Sequence, residues 1–180
     1  FGARRTMQVA QRLYEGIQLD GETVGLITYM RTDGVQIANE AIVSSRALIG
    51  RDYGEAYIPS APRIYKSKAK NAQEAHEAIR PTDLKRRPAD VASYLEDDQR
   101  RLYELIWKRA TASQMIHATI DSVTAEFDCG GVGVFRATGS TVKNPGFMKV
   151  YSNDEETTLD SERLPSLVEG EKVEFEVLCR

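Results

Sequence analysis

With 180 residues, 41% of them hydrophobic and 28% charged, the chain can hold one good-sized domain or two small ones and has the composition of a globular protein with a sizeable core. No apolar run approaches the length of a membrane span, and the opening FGARRTMQ has neither a starting Met nor the apolar core of a signal peptide, so a piece of a longer protein is expected. The net charge of −3 argues against nucleic acid only until it is mapped: residues 1–118 carry 18 Lys plus Arg against 15 Asp plus Glu, residues 119–180 carry 6 against 12, and Arg63–Arg87 alone holds eight basic and three acidic residues, so one face can meet phosphate.

Taken in order, Met7, Ala10, Leu13, Tyr14 and Ile17 fall at three- and four-residue steps and predict a helix from Arg5 to Glu15. This helix should feed directly into GLITYMRTD, Gly25–Asp33, whose Ile, Thr and Tyr favour an extended strand. Asp33-Gly34 reads as a turn, after which Asn39 can cap a helix with apolar positions Ile42, Ala47, Leu48 and Ile49, ending at Gly50. Residues 51–72 contain Pro59, Pro62 and the cluster Lys66, Lys68 and Lys70, the pattern of a long, exposed connection. AQEAHEAIRP, Ala72–Pro81, is a short run of good helix formers stopped by its proline. Leu102, Ile106, Trp107 and Ala110 predict a long core helix over Asp97–Met115, with His117 beyond it as a structural residue.

Near residue 118 the period changes. Val123, Ala125, Phe127 and Cys129 alternate with polar residues, Gly130-Gly131 marks a turn, and GVFRATGSTV resumes the extended pattern, which predicts a β-hairpin. An acidic loop over 152–162 precedes a second alternation, Val173, Phe175 and Val177. The expected fold is therefore α+β, with a mainly helical domain over 1–118 followed by an antiparallel β region over 119–180. Cys129 and Cys179 lack metal-type spacing, read as packing residues and suit a reduced, cytoplasmic setting.

Two stretches carry candidate chemistry. In an extended Gly25–Asp33, alternate side chains share a face, so Tyr29, Arg31 and Asp33 would stand together. A phenol is a poor nucleophile at neutral pH, but a fixed cation beside it favours the phenolate and neutralises a phosphodiester under attack. Tyrosine attack on a nucleic-acid backbone is one reading; a half-buried strand with a packed tyrosine is the other. His76-Glu77 resembles the start of the zinc-protease HExxH, but Arg80 occupies the second ligand position and rejects it. His76, Glu77 and Arg80 beside a basic segment instead make a plausible phosphate-handling cluster.

GLITYMRTD and AQEAHEAIRP, in this order, together with FGARRTMQVAQRLYEG, resemble the bacterial type IA DNA topoisomerases over at least Phe1–Met115, and the β part suits the neighbouring domain of the arch that closes the family's toroid. The resemblance implies that Tyr29 forms a covalent link to the 5′ end of a cut single strand, that Arg31 steadies Tyr29 and the scissile phosphate, and that His76 contacts that phosphate. Arg80, Lys66, Lys68 and Lys70 are expected DNA contacts, while Asp33, Glu77 and Arg80 have a helix-capping or strand-pinning role open to them beside a catalytic one. The family commonly has Ser where this chain has Gly34. The implied activity is relaxation of negative supercoils by strand passage through a transient break, without ATP, because the covalent link conserves the energy of the broken bond. Mg2+ is implied for the whole enzyme, in a separate N-terminal domain; this chain has no Asp-x-Asp pair and no metal site is expected on it. The chain alone is expected to be inactive, its partners being single-stranded DNA and the magnesium-binding domain, and its place the bacterial nucleoid. Type III topoisomerases and reverse gyrase are related readings, and a non-catalytic DNA-binding or protein-interaction module is the alternative from another class.

Overall fold

The structure is a computed structural model and describes residues 2–30, 34–65, 77–152 and 164–174. It divides into two compact units, Phe1–His117 with Gly146–Asn153 and Ala118–Pro145 with Asp154–Arg180.

In the first unit, the three- and four-residue apolar spacing forms α1, Ala3–Glu15, which buries Val9, Ala10 and Leu13. Gly16, at φ 133°, ends the helix with its N–H on the carbonyl of Arg12 at 3.1 Å. The chain does not then run straight into the tyrosine segment as the sequence predicts. A small antiparallel hairpin intervenes, β1 Ile17–Leu19 and β2 Glu22–Val24, turned by Asp20-Gly21 at φ 50° and 93°. Positive φ at both central residues is what a tight hairpin turn requires and what Asp-Gly supplies.

The second helix, α2, is Asn39–Asp52. Asn39 is its first helical residue rather than its cap, because the Glu77 carboxylate comes from outside to accept the N–H of Ala38 at 2.8 Å. Gly50 does not end the helix, which continues to Asp52 and closes when Tyr53 and Gly54 both donate to the carbonyl of Ile49. The expected irregular connection holds a 3-10 turn at Glu55–Tyr57, and Tyr57 and Ile58 pack against the core.

A short helix α3, Pro88–Val91, leads to α4, Asp97–Ser113, whose Leu102, Tyr103, Trp107 and Ala110 are buried. Gln99 accepts the N–H of Glu96 at 2.9 Å and caps the start of α4. Buried Val9, Leu13, Leu26, Ile27, Leu48, Ile49, Leu84, Leu102, Tyr103, Trp107, Met115 and Val150 form one cluster, so α1, α2, α4 and the tyrosine segment share a core. Two of the large side chains in it also carry hydrogen bonds: Trp107 Nε1 donates to Leu84 O at 2.9 Å and Tyr103 Oη to Arg86 O at 2.7 Å. Burial pushes the Tyr103 phenol above its ordinary range, so it stays a donor. Both bonds fasten residues 84–86 to α4.

The second unit is built on β3, Thr119–Asp128, paired antiparallel with β4, Val134–Asn144, around a turn in which Gly130 and Gly131 have φ of 67° and 78°. Cross-strand pairs Ser122–Ser140, Thr124–Thr138 and Glu126–Arg136 line the ladder. Residues 171–174 are not in a strand, and the remainder of the expected strand, from Phe175, lies outside the described residues, as does nearly all of the acidic loop. Cys129 is free and half-buried, and Cys179 lies outside the described residues.

Candidate active site

The described parts of the two motif segments, residues 25–30 and 77–81, lie side by side although more than forty residues apart in sequence. Leu26 donates to Leu13 O at 2.7 Å, so the first motif continues from the end of α1 and satisfies one of that helix's terminal carbonyls. Gly25 permits this approach: a Cβ there would stand 2.7 Å from the Tyr14 carbonyl oxygen. On the other side Thr82 donates from its N–H to Leu26 O at 3.0 Å and from Oγ1 to Gly25 O at 2.7 Å, Thr28 donates to Arg80 O at 2.9 Å, and Ile27 pairs with Pro81 in an isolated antiparallel bridge.

This differs from both expected elements. Glu77–Arg80 is not helical, and Gly25–Met30 forms no strand beyond that bridge. Leu26 and Ile27 are both 1% exposed, so burial does not alternate. The physical reason lies in Thr28. Its hydroxyl donates to Ala78 O at 2.8 Å and accepts from Arg80 N at 3.0 Å, supplying partners that a helix would otherwise have to provide. Tertiary hydrogen bonds override the helix propensity of AQEAHEAIRP.

The next residue is Tyr29. Its side chain is 45% exposed and meets Tyr14 edge to face, ring centroids 5.2 Å apart at 65°. Ile27, two residues before, and Met30, the next residue, pack into or against the core, so the phenol projects from an anchored backbone rather than from a free loop. Such a group can reach a reacting centre without a large loss of conformational freedom.

Glu77 and Arg80 hold the second motif. Arg80 Nε and Nη2 donate to the two Glu77 oxygens at 2.7 and 3.0 Å, and Nη1 donates to Pro81 O at 2.8 Å. The pair is largely buried, with side-chain exposures of 15% and 28%, and Glu77 also caps α2. Of the two roles open to these residues in the sequence, the geometry displays capping and pinning; Arg80 keeps two N–H groups for another acceptor. Ala78 donates to Gln36 O at 2.7 Å, tying the same segment to the approach of α2.

Arg31, Asp33, Lys66, Lys68, Lys70 and His76 lie outside the described residues. Their chain neighbours Met30 and Glu77 are placed, on the two sides of the Thr28 ladder. Thr28, Gly25 and Tyr14 were not legible as site residues, since each acts through a partner that only the fold supplies. Gly25, at the start of an apolar run, was the one available signal of a close approach. Among the described residues no group of three or more His, Cys, Asp or Glu side chains comes together to hold a metal ion, and no helix is long and apolar enough to cross a membrane.

A family model described as DNA topoisomerase matches residues 1–178. The chain is 53% identical over 174 residues to a DNA topoisomerase 1 of Rickettsia bellii, covering 95% of this chain and 22% of that protein. It is 49% identical over 182 residues to one of Xylella fastidiosa, covering 98% and 22%. Among solved structures, the full-length topoisomerase I of Thermotoga maritima superposes with a TM-score of 0.72 at 35% identity over 87% of this chain and 25% of that one. This chain thus spans about a fifth of the length of the curated relatives it matches.

Proposed function

Because the chain belongs to the bacterial DNA topoisomerase I family, we propose that Tyr29 is the nucleophile with which the whole protein opens one strand of DNA. The phenolic oxygen forms a bond to the scissile phosphorus as the bond from phosphorus to the upstream 3′ oxygen breaks. The phenol's proton is given up and the 3′ oxygen gains one, leaving a 5′-phosphotyrosine and a free 3′ hydroxyl. The reverse step reseals the strand and needs no ATP, since one phosphodiester is exchanged for another. A second strand passing through the break would relax negative supercoils.

The observation that carries this reading is the placement of Tyr29: a half-exposed phenol on backbone pinned by Thr28 to Ala78 and Arg80. Arg31, two residues on, is assigned to steady Tyr29 and the phosphate, and His76, next to the pinned Glu77, to contact that phosphate. Lys66, Lys68 and Lys70 would track the DNA backbone, and Arg80 would join them through the N–H groups that Glu77 and Pro81 leave over. Magnesium is assigned to a domain outside this chain, and no step here passes through it. The substrate is single-stranded DNA, reached in the cytoplasm at the nucleoid.

Incubating a 3′-end-labelled single-stranded oligonucleotide with this chain, the N-terminal domain of the same protein and magnesium should yield, on a denaturing gel, a labelled species of protein mass. Tyr29→Phe should give none, because the nucleophilic oxygen is gone. The chain alone should also give none. An adduct that survives Tyr29→Phe overturns the assignment.

A further inference from the structure

The chemistry at Tyr29 leaves unused a second concavity in the first unit, a cavity of about 280 Å3 around Arg63. Two arginines, Arg63 and Arg109, and His117 line it with Tyr65, Phe147 and Tyr151, and no acidic side chain does. Neither guanidinium has an ion-pair partner among the described residues. Nε of Arg63 is buried with no hydrogen-bond partner, and its Nη1 lies 3.5 Å from His117 Nδ1. A buried donor without an acceptor is costly, and two neighbouring cations without a counter-charge add repulsion to that cost; an anion in the cavity relieves the repulsion.

The site is built on fixed backbone. Gln114, fully buried, accepts the Arg63 N–H at 3.3 Å and donates to its carbonyl at 3.0 Å. Tyr65 Oη donates to Ser113 O at 2.8 Å, Phe147 N to Ile116 O at 3.0 Å and Tyr151 N to Met148 O at 2.9 Å. Despite these anchors Tyr65, Phe147 and Tyr151 remain 40%, 38% and 37% exposed, which leaves aromatic surface for stacking. Cationic forks beside open aromatic faces match a nucleotide unit, phosphate to arginine and base to ring.

We propose that this pocket is a nucleotide subsite, taking one backbone phosphate and an adjoining base of single-stranded DNA. The choice of DNA rests on the reading of Tyr29 above; the charge and stacking chemistry does not. Arg63 and Arg109 bind the phosphate, and Phe147 and Tyr151 bracket the base.

The test is fluorescence anisotropy of a labelled oligothymidylate with this chain over a range of salt. Replacing both arginines (Arg63→Gln with Arg109→Gln) should weaken binding roughly tenfold or more and lower the slope of log affinity against log salt by about 1–2. Tyr151→Ala with Phe147→Ala should weaken it by roughly tenfold while leaving the slope unchanged, since stacking is lost and charge is not. An arginine effect without an aromatic effect would reduce the pocket to a general basic patch and overturn the subsite, as would no effect of either pair. Competition by inorganic phosphate or thymidine monophosphate as effective as that by the oligothymidylate would overturn the strand as occupant. Unmutated protein gives an independent reading: iodouracil-substituted oligonucleotide, irradiated, should cross-link to Tyr65, Phe147 or Tyr151, and cross-links confined elsewhere would refute the pocket. Normal Tyr29 adduct formation with intact binding in the pocket variants therefore sinks this subsite alone, whereas a working pocket with no adduct in the complemented reaction sinks the nucleophile alone.

Discussion

Thr28 does for the site what its more conspicuous neighbour cannot do for itself. Its hydroxyl bonds twice across to Ala78 and Arg80, so the backbone that presents Tyr29 is set by a residue with no reactive chemistry. Thr28→Val keeps the shape and removes both bonds, leaving the Arg80 N–H without its acceptor. It should lower stability by about 1–3 kcal/mol in urea unfolding and reduce adduct formation, with Thr28→Ser recovering most of both. Gly25→Ala should cost about 1–3 kcal/mol by the same measurement, because the new methyl meets a backbone oxygen that cannot swing aside. Tyr29 is singled out in the sequence only by the two motifs taken together, since a phenol two positions from a guanidinium fits a packed strand residue as well as a phosphodiester nucleophile. Thr28 is not, because its partners lie about fifty residues further along the chain and no local pattern announces them.

Among the elements, those built on long periodic patterns were legible and those built on short ones were not. The apolar spacing of α1 and α4 predicted both to within two residues at either end. The β1–β2 hairpin has three-residue strands, too short for a period to register, although Asp20-Gly21 carried its turn signal. Helix α2 was found but its ends were displaced, since its start is capped by Glu77 from another segment and its last turn is tied by Asp52. Asp52 sits at a helix C-terminus, where a carboxylate is unfavourable, and two arginines offset this. The hydrogen bond from Arg51 Nε at 2.7 Å, followed by the charge of Arg87 at 2.7 Å, holds the Asp52 carboxyl below its usual range, with burial working in the opposite direction. A group whose folded pKa is lowered contributes stability above its unfolded value, near ~3.9, and loses it as pH falls through the folded value. Asp52→Asn should therefore destabilise the chain by about 0.5–1 kcal/mol at neutral pH, and the gap from wild type should close toward about pH 2. A gap of constant size across that range would mean that the carboxylate's charge is not what matters.

For the molecule as a whole, the change of sequence period near residue 118 coincides with the start of β3, whereas the return of Gly146–Val150 to the helical unit left no such mark. That segment is a 3-10 turn whose Val150 enters the core, and one buried valine is too small a signal to read in advance. The two units also differ in what holds them. The first has a contiguous apolar core, while on the hairpin Val123, Val134 and Phe135 are each more than half exposed. A two-stranded ladder with so little apolar surface buried among the described residues is marginal in water. Amides of β3 and β4 should exchange with deuterium roughly a hundredfold or more faster than those of the middle of α4, and equal protection would show that the hairpin is stabilised by something other than its own ladder. In the first unit Tyr14 and Tyr29 stand in contact and are similarly exposed, so either phenol could meet a phosphate. The most direct test traps the adduct formed in the complemented cleavage reaction, digests it with trypsin and fragments the Leu13–Arg31 peptide, which contains both tyrosines. The nucleotide mass should reside on Tyr29; finding it on Tyr14, or on a peptide from elsewhere in the chain, would contradict the assignment.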